Sequence, residues 1–262
     1  MAGTGGVILK SRREIDLMRR AGRVVREVLD RLTEMVRPGV TTAELNTAAE
    51  ELIAAAGGAA LFKGVRQPQA RRPFPAVICA SVNEELVHGI PGPRELREGD
   101  IISVDCGVRL DGYCGDAATT VRVGKVTPEV AHLVEVTQRA LELVLEVASP
   151  GKMWSEVARQ LQAYVEGEGL SVVRDFVGHG IGREMHEDPK VPNFWNERQK
   201  GLDFPLQPGL VLAVEPMVNL GTHAVEYGDE DRWVVVTRDR KPAAHFEHTI
   251  AVTARGVDVL TV

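Results

Sequence analysis

The feature of this sequence that most restricts its fold is a repeated pair of helices, each pair interrupted by a Pro-Gly stop. Apolar residues recur at helical spacing over residues 11–36 and again over residues 127–148. Pro38-Gly39 ends the first run, and Pro150-Gly151 ends the second run 112 residues later. Aligned on that offset, the two runs place apolar residues at largely the same positions, which indicates an internal duplication.

A second helix follows each stop. Residues 41–45 begin a helix that ends near Gly57-Gly58, and Ser155-Glu156 begin one that ends near Gly167. The offset is far too long for a solenoid repeat. The pattern predicts two similar halves related by a pseudo-two-fold axis, with a site where the halves meet.

Strand-like runs follow each helix pair. In the first half they cover residues 76–80, 100–109 and 113–123, and in the second half residues 210–215, 232–237 and 243–252. Because helices and strands come in blocks, an α+β fold is favoured over a doubly wound sheet. We expect one catalytic domain over residues 1–262, with a short N-terminal tail of residues 1–10.

Composition excludes several classes of protein. The 262-residue chain carries a net charge of −6, which argues against a general nucleic-acid binder and hence against DNA as a partner. Its three cysteines form no CxxC pair, so neither a disulfide framework nor a cysteine zinc site is expected. No apolar run approaches the ~20 residues of a membrane helix, and the start lacks a signal-peptide pattern. We expect a cytoplasmic protein with no membrane segment.

Two aspartates are predicted to share one face of a hairpin. Asp111-Gly112 between two β-rich runs is a typical hairpin turn. A turn there places Asp116 opposite Gly107 and Asp105 on the same face, two residues away. Aspartate is depleted in strands, so a carboxylate inside an apolar strand calls for a partner.

Two glutamates occupy similar positions in the second half. Glu215 ends the apolar run 210–215, and Glu247 lies inside the run 243–252. Any one of these acids alone is better explained by a salt bridge to an arginine. Four together would repel one another and take up protons unless divalent cations neutralised them. His179 could add an imidazole, and this donor set suits Mn, Fe, Co or Zn.

Five segments, taken in order, resemble the successive motifs of the methionine aminopeptidase family, type I. They are SVNEELVHGIP, VDCGVRLDGYCGDAATT, VGHGIGREMHEDP, LAVEPM and FEHTIAVT, and the resemblance covers nearly the whole chain. It implies the pita-bread fold and two divalent metal ions, of which Co, Mn, Fe, Zn and Ni are all candidates. It also implies removal of the initiator methionine from nascent polypeptide N-termini when the second residue is small, by a hydroxide between the metals, and a monomeric state.

The resemblance also implies roles for the acids and one histidine. Asp105 resembles the bidentate ligand of one metal, and Asp116 and Glu247 resemble the two bridging carboxylates. His179 and Glu215 resemble ligands of the other metal. Glu215 is also expected to act as the proton shuttle.

Six further residues are implied in substrate contact. His88 and His186 resemble the histidines that touch the substrate without binding metal, and His186 is expected to hydrogen-bond the scissile carbonyl. An apolar pocket for the methionine side chain is expected from Cys79, Phe74, Met185 and Trp233, for which ordinary core packing is the alternative.

Two other functions compete with this interpretation. An X-Pro aminopeptidase or prolidase shares the fold, but such enzymes usually carry a separate N-terminal domain, and helices begin here near Ser11. A metal-free pita-bread binding module would have lost metal ligands, whereas all five are present in this sequence.

A basic segment suggests one macromolecular partner. Lys63, Arg66, Arg71 and Arg72 cluster in the Pro-rich loop 63–75. Five arginines among residues 12–23 add a basic stretch to the first helix. This charge predicts a weak electrostatic contact with the ribosome near the nascent-chain exit; a solvated loop is the alternative. The chain's own start, Met1-Ala2, would itself be a substrate.

Overall fold

The computed structural model of the protein describes residues 6–262, so the predicted substrate sequence Met1-Ala2 lies outside the described part. The described chain has helices α1 (Arg12–Met35), α2 (Thr42–Ala55), α3 (Pro128–Val147) and α4 (Trp154–Gly167), together with a short 3-10 helix, Glu197–Leu202. Each predicted helix is present within one or two residues of its expected bounds. None of the described helices is both long and apolar enough to cross a membrane.

Side-chain caps fix where these helices begin. Ser11 and Glu14 form the predicted capping box at the start of α1, and Thr41 and Glu44 form one at the start of α2. Thr127 caps α3, where proline occupies the first helical turn. In each case the cap satisfies backbone N–H groups that have no partner within the helix.

Strands numbered in chain order form four sheets. The first-half sheet contains β1 (Ala59–Ala60), β2 (Cys79–Val82), β4 (Ile101–Leu110) and β5 (Tyr113–Arg122). The largest second-half sheet has the order β15 (Val257–Val259), β14 (His248–Val252), β9 (Val211–Val214), β7 (Gly178–Gly180), β8 (Glu187–Val191). One smaller sheet contains β6 (Ser171–Val172), β10 (Met217–Asn219) and β13 (Ala243–His245). The other contains β3 (Glu85–Val87), β11 (Val225–Tyr227) and β12 (Val235–Thr237).

The hairpin of β4 and β5 has the predicted turn and register. Asp111 and Gly112 both adopt positive φ, 51° and 80°, as a two-residue Asp-Gly turn requires. Asp116 of β5 pairs with Gly107 of β4. Asp105 lies two residues before Gly107 on β4 and pairs with Ala118 of β5. The turn therefore sets the register that brings both aspartates to one face.

Each half has its own helix pair and its own apolar core. One core joins α1 and α2 to β2, β4 and β5, and the other joins α3 and α4 to β9, β10, β13 and β14. The helix pairs and the two largest sheets are thus grouped by half, whereas one small sheet joins β3 of the first half to β11 and β12 of the second. The predicted α+β class is confirmed.

The halves meet along a seam between β5 and the chain around β13 and β14. The Asp116 N–H donates to the hydroxyl of Thr249, which in turn donates to the Asp116 carbonyl, at 3.0 and 2.8 Å. The Glu247 N–H donates to the Ala118 carbonyl at 2.9 Å. These bonds fix two of the predicted metal ligands, one from each half, beside each other.

Three predicted strands have different bounds, because other hydrogen bonds take their amides. The run 76–80 becomes β2, and the Val77 N–H donates to the Asn46 side chain instead of a neighbouring strand. The run 232–237 shortens to β12, because a turn around Asp229 takes the amides of Trp233 and Val234. The run 243–252 is two strands, β13 and β14, which belong to different sheets.

Residues 6–10 are the described part of the predicted tail, and the last of them, Lys10, packs against the rest of the protein. Lys10 is buried and forms an ion pair with Glu187, and its backbone N–H donates to the Gly209 carbonyl at 2.6 Å. Glu187 begins β8, directly after His186. The tail is thus attached to the segment that carries a predicted substrate contact.

We expect Gly22→Ala to destabilise the protein by at least about 1–3 kcal/mol, the usual cost of overpacking. A Cβ at Gly22 of α1 would lie 2.1 Å from the Leu260 carbonyl oxygen, and Gly115 of β5 approaches the same glycine. The two nearest atoms to that Cβ are the carbonyl oxygen and carbon of Leu260, which are backbone, so rotamer changes cannot relieve the clash. Urea unfolding would measure the loss.

Gly167→Ala is the matched control for that substitution. Gly167 ends α4, and a Cβ there would meet nothing within 4 Å. Because alanine is the better helix former, this variant should be neutral or up to about 1 kcal/mol more stable. Equal midpoints for the two variants would contradict the close packing of α1 on the chain around Leu260.

Candidate metal centre and substrate pocket

The five predicted metal ligands converge on one pocket from both halves. Asp105 and Asp116 come from the β4–β5 hairpin, and His179 is the middle residue of β7. Glu215 follows β9 directly, and Glu247 lies between β13 and β14. The seam between the halves is therefore also the floor of the site.

Three of these residues form a cluster with the spacing of metal ligands. Donor atoms of Asp116, His179 and Glu247 all lie within 4.8 Å of one another, and all three residues are buried. Asp105 and Glu215 line the same pocket outside this tightest group. Carboxylates with one imidazole form a donor set for divalent cations such as Mn²⁺, Fe²⁺, Co²⁺ and Zn²⁺.

Several carboxylate oxygens of the cluster have no protein partner. Oδ1 of Asp105, Oδ1 of Asp116 and Oε1 of Glu247 are buried without a hydrogen bond to any described residue. Within residues 6–262 no lysine or arginine forms an ion pair with these acids; Glu215 lies only near two histidines. Buried anionic oxygens without partners are costly, so the residues present fit divalent metal ions.

Burial and mutual repulsion oppose ionisation of the cluster when no cation is present. Burial raises the pKa of Asp116 to about 7. Burial raises the pKa of Asp105, Glu215 and Glu247 well above the usual range, and the charge of Asp116 adds to the rise for each of the three. A bound cation would reverse this effect by favouring the ionised form.

His179 presents the correct ring nitrogen to the cluster. Its Nδ1 lies 2.9 Å from the Gly180 carbonyl oxygen, which can only accept, so Nδ1 carries the proton and Nε2 keeps a lone pair. Burial lowers its pKa to about 3, so the ring is neutral, as a metal ligand must be. Because Cβ atoms at Gly178 and Gly180 would lie 2.4 and 2.2 Å from neighbouring carbonyl oxygens, only glycines fit beside this histidine.

The two predicted substrate histidines lie on the same pocket. His186 packs against His179 with ring centroids 4.4 Å apart, and His88 packs edge-on against Phe176 and Trp233. His88 adopts φ 60°, a strained conformation that is common at functional sites. Burial lowers the pKa of both histidines, for His88 to about 4, so each is a neutral hydrogen-bonding group at pH 7.

The other four predicted residues form the apolar wall of this pocket. Phe74 and Trp233 meet edge to face at 5.2 Å between ring centroids, and Cys79 and Met185 complete the wall. The pocket has about 530 Å³ of empty space, part of it open to solvent. All eleven predicted site residues are thus brought together, although their roles stay predictions.

Sequence reasoning missed three residues of the pocket, Phe62, Val65 and Gln67. Phe62 precedes the loop 63–75 and the other two residues lie in it. The sequence of this loop indicated only a basic surface. The Trp233 indole N–H donates to the Arg72 carbonyl at 2.8 Å and so holds this loop over the site. The one signal in the sequence was the presence of two apolar residues, Phe62 just before this polar loop and Val65 within it.

Comparison with known proteins places the chain in one family. Residues 16–254 match the model of metallopeptidase family M24. The sequence is 47% identical to a methionine aminopeptidase of Clostridium perfringens over 97% of this chain and 98% of that one. It is also 47% identical to methionine aminopeptidase 1 of Bacillus subtilis, over 97% and 99% of the two chains.

Solved structures agree with these sequence matches. A methionine aminopeptidase from Thermotoga maritima superposes with a TM-score of 0.91 at 38% identity, covering 98% of this chain and 99% of that one. A prolidase from Pyrococcus furiosus superposes at 0.74 with 20% identity, over 97% of this chain and 65% of that one, and so shares the fold alone. The expected pita-bread fold is confirmed, and the chain is a member of metallopeptidase family M24.

Proposed function

We propose that this protein is a methionine aminopeptidase that uses two divalent metal ions to remove an N-terminal methionine when the second residue is small. The observation that carries the proposal is one pocket in which the carboxylate cluster adjoins the wall of Phe74, Trp233 and Met185. Such a wall suits a thioether side chain. The names of the relatives at 47% identity support the same activity.

The proposed chemistry divides between the metal ions and the residues of the chain. When bound, two ions would polarise the scissile carbonyl and lower the pKa of water between them. The five ligands would hold the ions, whose identity can be Co, Mn, Fe, Zn or Ni. Glu215 would carry a proton to the leaving amine, and His186 and His88, both neutral, would donate hydrogen bonds to the substrate.

Two alternatives have less support. An Xaa-Pro dipeptidase and two prolidases share the fold at 20–21% identity but extend well beyond the region that matches this chain. An inactive binding module would not need five converging metal ligands with unpartnered buried oxygens.

Nascent chain N-termini are the proposed substrates, but ribosome binding has weaker support than the sequence suggested. Lys63 pairs with Glu50, and Arg71 pairs with Glu230. Arg72 forms an ion pair as well, with Asp231. These acids reduce the positive field of the loop 63–75, so the ribosome contact stays a prediction from charge alone.

The proposal predicts release of methionine from Met-Ala-Ser in the presence of metal and little hydrolysis of Ala-Pro. Metal ions held by the five ligands would leave little room for the next side chain, so Met-Lys-Ser and Met-Phe-Ser should be cut at least about 100-fold more slowly. Amino-acid analysis after incubation with Mn²⁺ or Co²⁺ measures this. Preferential cleavage of Ala-Pro would instead favour the prolidase alternative.

Glu215→Gln should retain the fold and lose at least about 100-fold in kcat, because it removes both a ligand charge and the proton shuttle. KM should change less than kcat. Glu146→Gln, an exposed glutamate on α3, is the matched control and should retain activity. Near-normal kcat in metal-loaded Glu215→Gln would exclude Glu215 from the mechanism.

The two neighbouring histidines should separate into different roles. His179→Ala should weaken the binding of one metal ion, because Nε2 of His179 faces the cluster. His186→Ala should bind both ions and show a lower kcat. Titration calorimetry with Mn²⁺, combined with steady-state kinetics, separates the two effects; the reverse pattern would show that the roles are exchanged.

A further inference from the structure

His245 is a buried histidine beside the site to which the proposed function assigns no role. It ends β13 with only 2% of its surface exposed. Its Nε2 is buried and forms no hydrogen bond with any of the residues 6–262. A buried polar atom without a partner is rare in a native protein and calls for an explanation.

The unpartnered nitrogen points toward the carboxylate of Glu215. Nε2 of His245 lies 3.6 Å from Oε2 of Glu215, and Nε2 of His179 lies 3.8 Å from the other oxygen, Oε1. The Glu215 carboxylate therefore sits between two imidazoles. His179 directs a lone pair toward the cluster, whereas the His245 ring has no other described partner for its Nε2.

The backbone around His245 holds the ring in place. The His245 N–H donates to the Thr120 hydroxyl at 2.9 Å, and that hydroxyl donates to the His245 carbonyl at 2.8 Å. Ser103 completes the hydrogen bonding of Thr120 at 2.8 Å. The opposite half of the molecule thus fixes the backbone of His245, while the buried Nε2 of its ring has no described hydrogen-bond partner.

We propose that His245 is a positioning residue, whose Nε2–H donates to Oε2 of Glu215 and so turns Oε1 toward His179 and the metal ions. The neutral ring can carry its proton on Nε2, and the present separation needs to close by only a few tenths of an ångström to reach hydrogen-bonding distance. Hydrogen bonds to metal-ligating carboxylates orient them and tune their metal affinity. This inference rests on the proposed function only in treating Glu215 as a ligand.

Two substitutions separate the hydrogen bond from packing. His245→Leu removes the donor and retains the bulk, whereas His245→Gln retains an N–H donor on a side chain of similar reach. We expect His245→Leu to lower metal affinity or kcat by about 10–100-fold, with KM nearly unchanged. His245→Gln should restore most of the loss. Mn²⁺ titration calorimetry, and the visible spectrum of the Co²⁺-loaded protein, provide readouts that do not depend on catalysis.

His248→Leu is the control for loss of a buried histidine. His248 lies three residues away, and its Nδ1 is 2.8 Å from the Thr261 hydroxyl. This variant should melt at a lower temperature while metal affinity and the Co²⁺ spectrum stay as in the unmodified protein.

Three results would overturn the inference. Unchanged metal affinity and kcat in His245→Leu would show that the residue has no influence on Glu215. Equal loss in the glutamine and leucine variants would point to packing, and loss of a whole metal equivalent would make His245 a ligand. If the unmodified protein releases no methionine, the metal titrations still decide the role of His245, so the two proposals fail separately.

Discussion

Mutual repulsion among four carboxylates in one pocket, two of them buried and two partly buried, is the constraint on which the rest of this structure depends. Asp105 and Asp116 come from one half, Glu215 and Glu247 from the other, and no described lysine or arginine pairs with any of them. Without a cation the group relieves the repulsion by taking up protons. Divalent ions would neutralise the ionised carboxylates directly, and this links the fold to the proposed function.

Holding four repelling groups together requires rigid supports, and the two halves supply different ones. The β4–β5 hairpin fixes its aspartates through a ten-residue antiparallel register. The second half fixes Glu247 by breaking a strand, so that this residue bonds across the seam to Ala118 while its neighbours join different sheets. A continuous strand from 243 to 252 would have satisfied all its amides within one sheet and left none for the seam.

That break also shows how far the sequence allowed prediction. Local rules succeeded for the helices, whose caps and Pro-Gly stops are contiguous in sequence, and for the hairpin, whose register follows from Asp111-Gly112. They failed at Val77, Trp233 and Phe246, whose amides bond to the side chains of Asn46 and Asp229 and to the Pro216 carbonyl and not to a neighbouring strand. The candidate ligands were found because buried acids stand out in apolar runs. Phe62 and Val65 were missed because apolar residues near a loop have many possible partners.

The two ends of the pocket contribute unequally to what the protein can do. Burying a methionine side chain against Phe74 and Trp233 is worth about 1.5–3 kcal/mol, and sulfur–aromatic contacts add about 0.3–1.5 kcal/mol. Together these terms amount to about 1.8–4.5 kcal/mol, which supports only weak binding, of roughly millimolar affinity or weaker. The apolar wall can therefore select and place a side chain but cannot drive hydrolysis. In the proposed mechanism the barrier is lowered at the other end of the pocket, where Glu215, the histidines and bound metal ions would act on the peptide bond. Weak binding by the apolar wall also suits turnover, because a tightly bound methionine product would leave slowly and so slow each catalytic cycle.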